Sequence, residues 1–402
     1  MPGAKLDIAV AGAGIAGLAA AAMLARDGHQ VTLFDQFDAP AAVGSGLMVQ
    51  PVGLAVLAEL GLDRDLIARA SPIRRLYGRA VRGPVVLDVR YPDGYCGLAV
   101  QRAGLFDLLH GAALAAGAVL VPSTRIVSSQ NRGEKIWLGA ESCSIGPFDI
   151  VLDCLGSRSV LCPRPAPPLR YGALWALLDW PVGAGFDDAA LEQRYHAASR
   201  MAGVLPVGRT GPGSALKATF FWSLRGSDHD AWRNAPLEQW KSQVLQLWPE
   251  CSPLLDQISD HRQLTFACYA HRTLHRPLSD RIAHLGDSYH ATSPQLGQGA
   301  NMALLDAMAL AVALRGTPDP LAGLERYAVL RRWHVRLYQD ASWLFTPLYQ
   351  SDSRVLPMIR DRAMGPFSRI WPVPALLAGL VGGRIGRPLA QLGLKLPAPW
   401  DV

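Results

Sequence analysis

Gly12-Ala13-Gly14-Ile15-Ala16-Gly17 is a glycine turn of the kind that brings main chain up against a pyrophosphate. It stands between a short β-prone run, Leu6 to Ala11, and an alanine-rich segment, Leu18 to Arg26. The first glycine makes the turn, the second lets backbone approach the phosphates, and the third permits close packing of helix on strand. The helix N-terminus that follows offers unpaired N–H groups and a partial positive charge to the same phosphates. Gln30 to Asp35 then reads as a second strand ending in an acid, eighteen residues after Gly17, suited to accept hydrogen bonds from an adenosine ribose, with Gln36 beside it. An acid here, rather than an arginine, suits an unphosphorylated ribose. Strand, turn, helix, strand and acid in this order predict a bound dinucleotide.

A second glycine turn closes the stretch Arg281 to Asn301. A strand ending at Leu285 leads to Asp287, and Gly297-Gln298-Gly299 opens a helix with apolar residues at 300, 303, 304, 307, 308 and 311. Gly286-Asp287, His290, Pro294, Gly297-Gln298-Gly299, Asn301 and Asp306-Ala307 together resemble the GDAAH, proline, GQGxNxxxxDA pattern of class A flavoprotein monooxygenases, the FAD-dependent hydroxylases of the para-hydroxybenzoate hydroxylase type. The resemblance implies FAD as cofactor, with Asp287 on its ribityl chain and Pro294 beside the isoalloxazine ring, near the reacting oxygen. The backbone of Leu296, Gly297, Gln298, Gly299, Ala300 and Asn301 would follow the ring's pyrimidine edge, where a helix N-terminus stabilises the negative charge of the reduced flavin. Val43 to Pro51, with Leu54, Leu57 and Leu60-Gly61-Leu62, is similar to the family's loop and helix after the second strand. Gln101-Arg102-Ala103-Gly104-Leu105 resembles its RxxL element, which implies that Arg102 contacts the cofactor. Ile126 is expected to give a backbone contact near the adenine, and His290 to be structural.

One motif departs from the family. Where relatives read GADGxxSxxR, this chain has Asp153-Cys154-Leu155-Gly156-Ser157-Arg158-Ser159-Val160-Leu161-Cys162, so the motif's acid is Leu155 and its last arginine Cys162, with Asp153 a substitute acid two residues earlier. That bears on how the flavin is reduced. The resemblance implies NAD(P)H as electron donor, reaction of reduced flavin with O2 at C4a, and transfer of one oxygen to a small, largely apolar aromatic or similarly electron-rich substrate. A separate flavin reductase, as in epoxidase-type oxygenases, and a flavin-dependent reductase or dehydrogenase are the alternatives. The WxWxIP signature of flavin halogenases is missing, and no HExxH, GxSxG or paired carboxylates supply other machinery.

These motifs need elements to position them. The 402 residues, half of them apolar, suffice for about two or three structural units. We expect an α/β fold: a Rossmann-like FAD-binding domain built from 1–75, 97–160 and 275–322, an inserted β-sheet substrate domain from 76–96 and 161–274, and a helical C-terminal segment, 323–402. After a proline-rich linker, Tyr171 to Trp180, Gly203 to Val207 and Leu216 to Leu224 read as strands. In the resembled family this sheet covers the flavin, which makes Trp175, Phe221, Trp222, Tyr269 and His271 candidates for a substrate pocket. Glu325 to Phe345 reads as a helix, and the apolar tail beyond it is expected to pack on the protein, with membrane contact at most peripheral. The net charge of +6, spread over arginines without a basic block, points away from nucleic acid. Six cysteines without CxxC spacing point to neither zinc nor a disulfide framework, and to a reducing cytoplasm.

Overall fold

The computed structural model describes residues 5–39, 46–81, 83–141, 143–211, 213–364, 368 and 370–397; Val43 to Ser45 of the family-like loop lie outside these. Asp7–Ala11 is apolar after its first residue and becomes a central strand buried on both faces, as a covered parallel strand requires. The six-stranded sheet runs Leu278–Ser279, Ile282–His284, Ile150–Asp153, Asp7–Ala11, Gln30–Phe34, Val119–Val121. All neighbours are parallel except the edge strand Leu278–Ser279. Ile8 and Val10 face a helical layer formed by Ile15–Arg26, Arg102–Ala115 and Gly299–Arg315. Ala9 and Ala11 face the antiparallel strands Ile126–Arg132, Lys135–Ala140 and Ser144–Phe148. Alanines make the helical layer tight: residues Ala16 to Leu24 are buried without interruption.

A seven-stranded sheet runs Thr265–Ala270, Pro168–Asp179, Lys217–Arg225, Arg200–Pro206, Ala190–His196, Arg75–Ala80, Val85–Arg90. The three strands expected from sequence lie within it, shifted by a few residues at their ends, where boundaries are least defined. Its faces divide by residue parity: Phe220 and Trp222 enter a core with Trp240, Val244 and Trp248, while Phe221 joins Tyr195, Met201 and Tyr349 on the other side.

The helix Pro320–Tyr349 is longer at both ends than Glu325 to Phe345. Its start is set by Asp319, whose side chain accepts the Leu321 N–H at 3.0 Å, an N-cap followed by proline at the first helical position. Beyond it, Val373–Val381 buries Ala378, Leu380 and Val381 and leaves Leu376 outside. The whole is a mixed α/β protein with a Rossmann-like unit, an inserted sheet and a helical C-terminal region.

Candidate functional site

Gly12 ends the central strand with φ 105°, a conformation that side chains disfavour. A Cβ there would lie 2.5 Å from Cys154 O, and one on Gly17 would lie 2.0 Å from Gly12 O, so packing alone fixes both as glycine. Gly14 differs. It is the N-cap of Ile15–Arg26, has nothing within 4 Å of its Cβ position, and the helix has neither a side-chain cap nor an acid in its first turn. The first-turn N–H groups and the positive end of the helix dipole therefore meet open space. Asp35 closes the turn: its Oδ2 accepts the Ala13 N–H at 2.9 Å and its Oδ1 the Phe37 N–H at 3.0 Å. A carboxylate has about four acceptor sites, so capacity for a ribose hydroxyl is left. Gln36 beside it is exposed.

A Cβ on Gly286 would lie 3.2 Å from Ala16 Cβ and 3.5 Å from Ala303 Cβ. Gly286 is thus where the first turns of Ile15–Arg26 and Gly299–Arg315 meet. They meet at the carboxyl ends of three adjacent parallel strands, the crevice in which open α/β sheets bind ligands. The second turn also has room: Gly297 is left-handed at φ 61°, and neither Gly297 nor Gly299 has anything within 4 Å of its Cβ position. No side chain caps Gly299–Arg315. Asp287 is reached by solvent, yet enclosure by protein raises its carboxyl above the usual range against the pull of His290, Arg102 and Arg272. A group both accessible and enclosed lies in a recess.

Behind this recess the motif side chains hold the turn together. Asp306 is fully buried; Arg331 Nε meets its Oδ1 at 2.6 Å, and Gly286 N–H at 2.8 Å and His290 Nε2 at 2.6 Å meet its Oδ2. Burial alone would raise the Asp306 carboxyl, but His290 and Arg331 hold it below the usual range. The Asn301 amide accepts the Gln50 N–H at 2.8 Å and donates to Met48 O and Gly297 O, both at 3.1 Å, so only its backbone faces the turn's outer side. Leu296 is buried among Tyr289, Met302 and Tyr338, Ala300 and Pro294 are half-buried, and Gln298 donates to Val381 O. His290 Nδ1, Gln295 Nε2 and Gln298 Oε1 are buried without a partner among the described residues. Two open, uncapped helix N-termini and an acid at each turn fit a long anionic dinucleotide.

Arg102, at the start of its helix, joins this recess to the sheet, because its charge acts on both Asp287 and the Tyr269 phenol. The Tyr269 hydroxyl accepts the Trp175 Nε1–H at 2.7 Å, and the Trp175 ring lies 4.8 Å from that of Phe221. His271 Nε2 lies 3.3 Å from Ser342 Oγ. That hydroxyl continues into a cluster beside Pro294: Thr292 Oγ1 donates to Ser342 Oγ at 2.6 Å, and Ser293 Oγ lies 3.1 Å from Ser342 Oγ and 2.6 Å from Thr346 Oγ1. Burial lowers the pKa of His271.

One expectation needs correction. Trp222 cannot share a pocket with Phe221: adjacent residues of a strand point to opposite faces, and Trp222 lies in the far core with Trp240 and Trp248. The Ile126 side chain packs with Ala9, Phe34 and Phe148, which is compatible with the backbone contact expected of it. In the altered motif, Asp153 is closed to solvent; it accepts from Ser159 Oγ at 2.7 Å and Leu155 N–H at 3.1 Å, and meets His284 Nδ1 at 2.7 Å. It anchors its own turn. Sequence reasoning missed Arg331, Arg272, Ser342 and Thr346. Arg272 is buried and donates to Arg164 O, Gly156 O and Asp287 O; no local spacing marks any of these four.

Residues 7–49 match the family model described as FAD dependent oxidoreductase, and residues 188–339 the one described as FAD binding domain. The 3-amino-4-hydroxybenzoate 2-monooxygenase of Streptomyces cremeus is 28% identical over 340 residues, 81% of this chain and 83% of that protein. The 2-heptyl-3-hydroxy-4(1H)-quinolone synthase of Mycobacteroides abscessus is 27% identical over 394 residues, 94% of each chain. Klebsiella pneumoniae HpxO, solved with FAD and uric acid, shares the fold with a TM-score of 0.76 at 18% identity, over 94% of this chain and 98% of that one. Both glycine turns fit FAD, and the FAD models and relatives of one enzyme type extend along most of the chain, which is thus similar to FAD-dependent monooxygenases and is an enzyme of that type that takes FAD as its cofactor.

Proposed function

We propose that this enzyme hydroxylates a small, largely apolar aromatic or similarly electron-rich substrate, using O2 and NAD(P)H. In this reading residues 1–75, 97–160 and 275–322 hold FAD, and 76–96 and 161–274 hold the substrate. The observation that carries it is the juxtaposition of Trp175, Phe221 and Tyr269 with Arg102, which itself acts on Asp287. The relatives' names, a hydroxybenzoate monooxygenase and a hydroxyquinolone synthase, point to ring substrates as well.

FAD, when bound and reduced by NAD(P)H, would supply the two electrons that activate O2, so that one oxygen atom enters the substrate and the other leaves as water. The protein's part is positioning. The Gly12–Gly17 backbone and its helix N-terminus receive the pyrophosphate, Asp35 and Gln36 the adenosine ribose, Ile126 backbone the adenine side, and Asp287 with Arg102 the ribityl chain. The backbone from Leu296 to Asn301 aligns the second helix dipole with the pyrimidine edge of the ring, where it stabilises negative charge. Trp175 and Phe221 offer aromatic faces for a flat substrate and exclude water. His271, whose pKa burial lowers, is the base offered to a substrate hydroxyl, and Ser342 Oγ at 3.3 Å from its Nε2 orients the ring. Pro294 borders the place of reaction.

A second reading, in which a separate flavin reductase provides the electrons, is favoured by one observation. At the altered motif Leu155 packs against apolar core and Asp153 is taken up by Ser159 and His284. Anaerobic bleaching of the flavin on adding NADH or NADPH, with and without aromatic candidates, separates the two: prompt bleaching supports the self-sufficient enzyme, and bleaching only after a reductase is added supports the second. Label from 18O2 in the product is expected in both cases. A product without label, formed by reduction or dehydrogenation, overturns the hydroxylase reading.

A further inference from the structure

The outward side of Pro320–Tyr349 sets large apolar side chains among its charged ones, where a surface helix is ordinarily polar. Val329, Trp333, Leu337 and Leu344 are 64%, 69%, 38% and 62% exposed. At about 100° per residue they form one stripe, with Trp343, Arg332 and Arg336 along its edge and Asp340 within it, 4.0 Å from Arg336 Nε, while Tyr327, Arg331, Val335 and Tyr338 are buried on the inward side. Trp343 and Trp371 are 71% and 84% exposed. Twelve of the nineteen exposed large apolar side chains among the described residues fall between 321 and 376. The same part of the chain holds the charge: residues 321–402 contain eleven Lys and Arg against five Asp and Glu, so this segment accounts for the whole net charge of +6 and the remainder is neutral.

We propose that this C-terminal face docks peripherally on an anionic lipid bilayer. Tryptophan is at home at the headgroup level, where its ring is buried and its N–H is solvated. Arginines such as Arg332 and Arg336, both exposed beside the stripe, are drawn to anionic headgroups. Charge favours the bilayer over a second copy of the chain, because a two-fold contact pairs the patch with itself and would bring together two segments that each carry eleven Lys and Arg against five Asp and Glu. The contact is peripheral: no helix among the described residues is long and apolar enough to cross a membrane. The inference does not depend on the substrate or the reductant.

The test is co-sedimentation of the full-length, FAD-loaded protein with vesicles of phosphatidylcholine alone and of phosphatidylcholine mixed equally with phosphatidylglycerol. Binding to the mixed vesicles should exceed binding to the neutral ones by roughly tenfold or more at low salt and fall as salt is added. The double variant Trp333→Ser/Trp343→Ser should weaken it by roughly tenfold. Arg332→Gln/Arg336→Gln should weaken it by roughly fivefold per arginine and flatten the salt dependence. Retained FAD reports that each variant folds, and the arginine pair stands alone if the tryptophan pair does not fold. Absence of binding to either vesicle, equal binding to both, or unchanged binding by the folded variants overturns the proposal. So does a concentration-dependent dimer in sedimentation velocity that the tryptophan variant dissolves, which would assign the face to a second copy.

Discussion

Arg331 Nε stands 2.6 Å from Asp306 Oδ1, with both side chains closed to solvent. The pair ties the long C-terminal helix to the helix that begins at the second glycine turn, and the other Asp306 oxygen meets Gly286 N–H and His290 Nε2. Removing one member of a buried ion pair leaves the other charge without compensation. We expect Asp306→Ala to cost about 3–5 kcal/mol in denaturant unfolding of the apoprotein and to weaken FAD retention in the fraction that folds. An apoprotein of unchanged stability would refute the assignment of this pair as an anchor.

The two turn glycines should fail in different ways. Gly17→Ala puts a methyl 2.0 Å from Gly12 O and is expected to destabilise the fold by about 1–3 kcal/mol or more. Gly14→Leu projects into space that is open in the protein. It is expected to fold within about 1 kcal/mol of the parent and to bind FAD at least about tenfold more weakly. Circular dichroism and flavin fluorescence together read both; normal FAD affinity in Gly14→Leu would sink the idea that the pyrophosphate lies there.

His334 is buried, with Arg331 Nη1 3.2 Å from its Nδ1 and Gly383 O 3.2 Å from its Nε2. Burial, reinforced by the Arg331 charge, lowers its pKa from 6.5 to about 3. Between these values the unfolded chain binds a proton that the folded one refuses. Stability is therefore full above 6.5 and falls as pH drops toward 3, by up to about 1.4 kcal/mol per pH unit. His334→Gln should flatten this slope in urea titrations at stepped pH, whatever it costs in absolute stability; an equally steep slope in the variant would assign the acid sensitivity elsewhere.

Trp175 and Trp222 test the two faces of the sheet. Trp175→Leu is expected to change the relative kcat/KM for aromatic substrates of different size by about tenfold or more. Trp222→Leu is expected to lower the Tm through a cavity in the far core while leaving that ratio in place. A specificity change from Trp222→Leu alone would reverse the assignment of faces.

The sequence by itself determined the local devices. Gly12, Gly14 and Gly17 are legible because turn, approach and packing impose a fixed spacing on one continuous stretch. The run from Gly286 to Asn301 is legible for the same reason. The strands around Trp175 and Phe221 show in their β-prone composition, but Ala190–His196, with Glu192, Gln193 and Arg194 in it, gives no such signal. Its polar side chains are accommodated by the neighbours that the fold supplies, as where Arg194 stacks over Trp248 at 4.4 Å.

What tertiary structure decided is which distant residues meet. Which of two adjacent aromatics faces the cofactor depends on the side from which the rest of the protein covers the sheet; alternation forbids Phe221 and Trp222 from sharing a pocket, but it does not choose between them. Asp306 with Arg331, Asp153 with His284, and His271 with Ser342 are separated by 25, 131 and 71 residues. Hydrogen bonds at such separations leave no periodicity in the chain, because they depend on how helices and sheets pack rather than on how each is made. The carboxylate, imidazole and hydroxyl groups were in the sequence from the start; burial and neighbours, which only the folded chain provides, turned some into anchors and left Asp287 open to solvent in its recess.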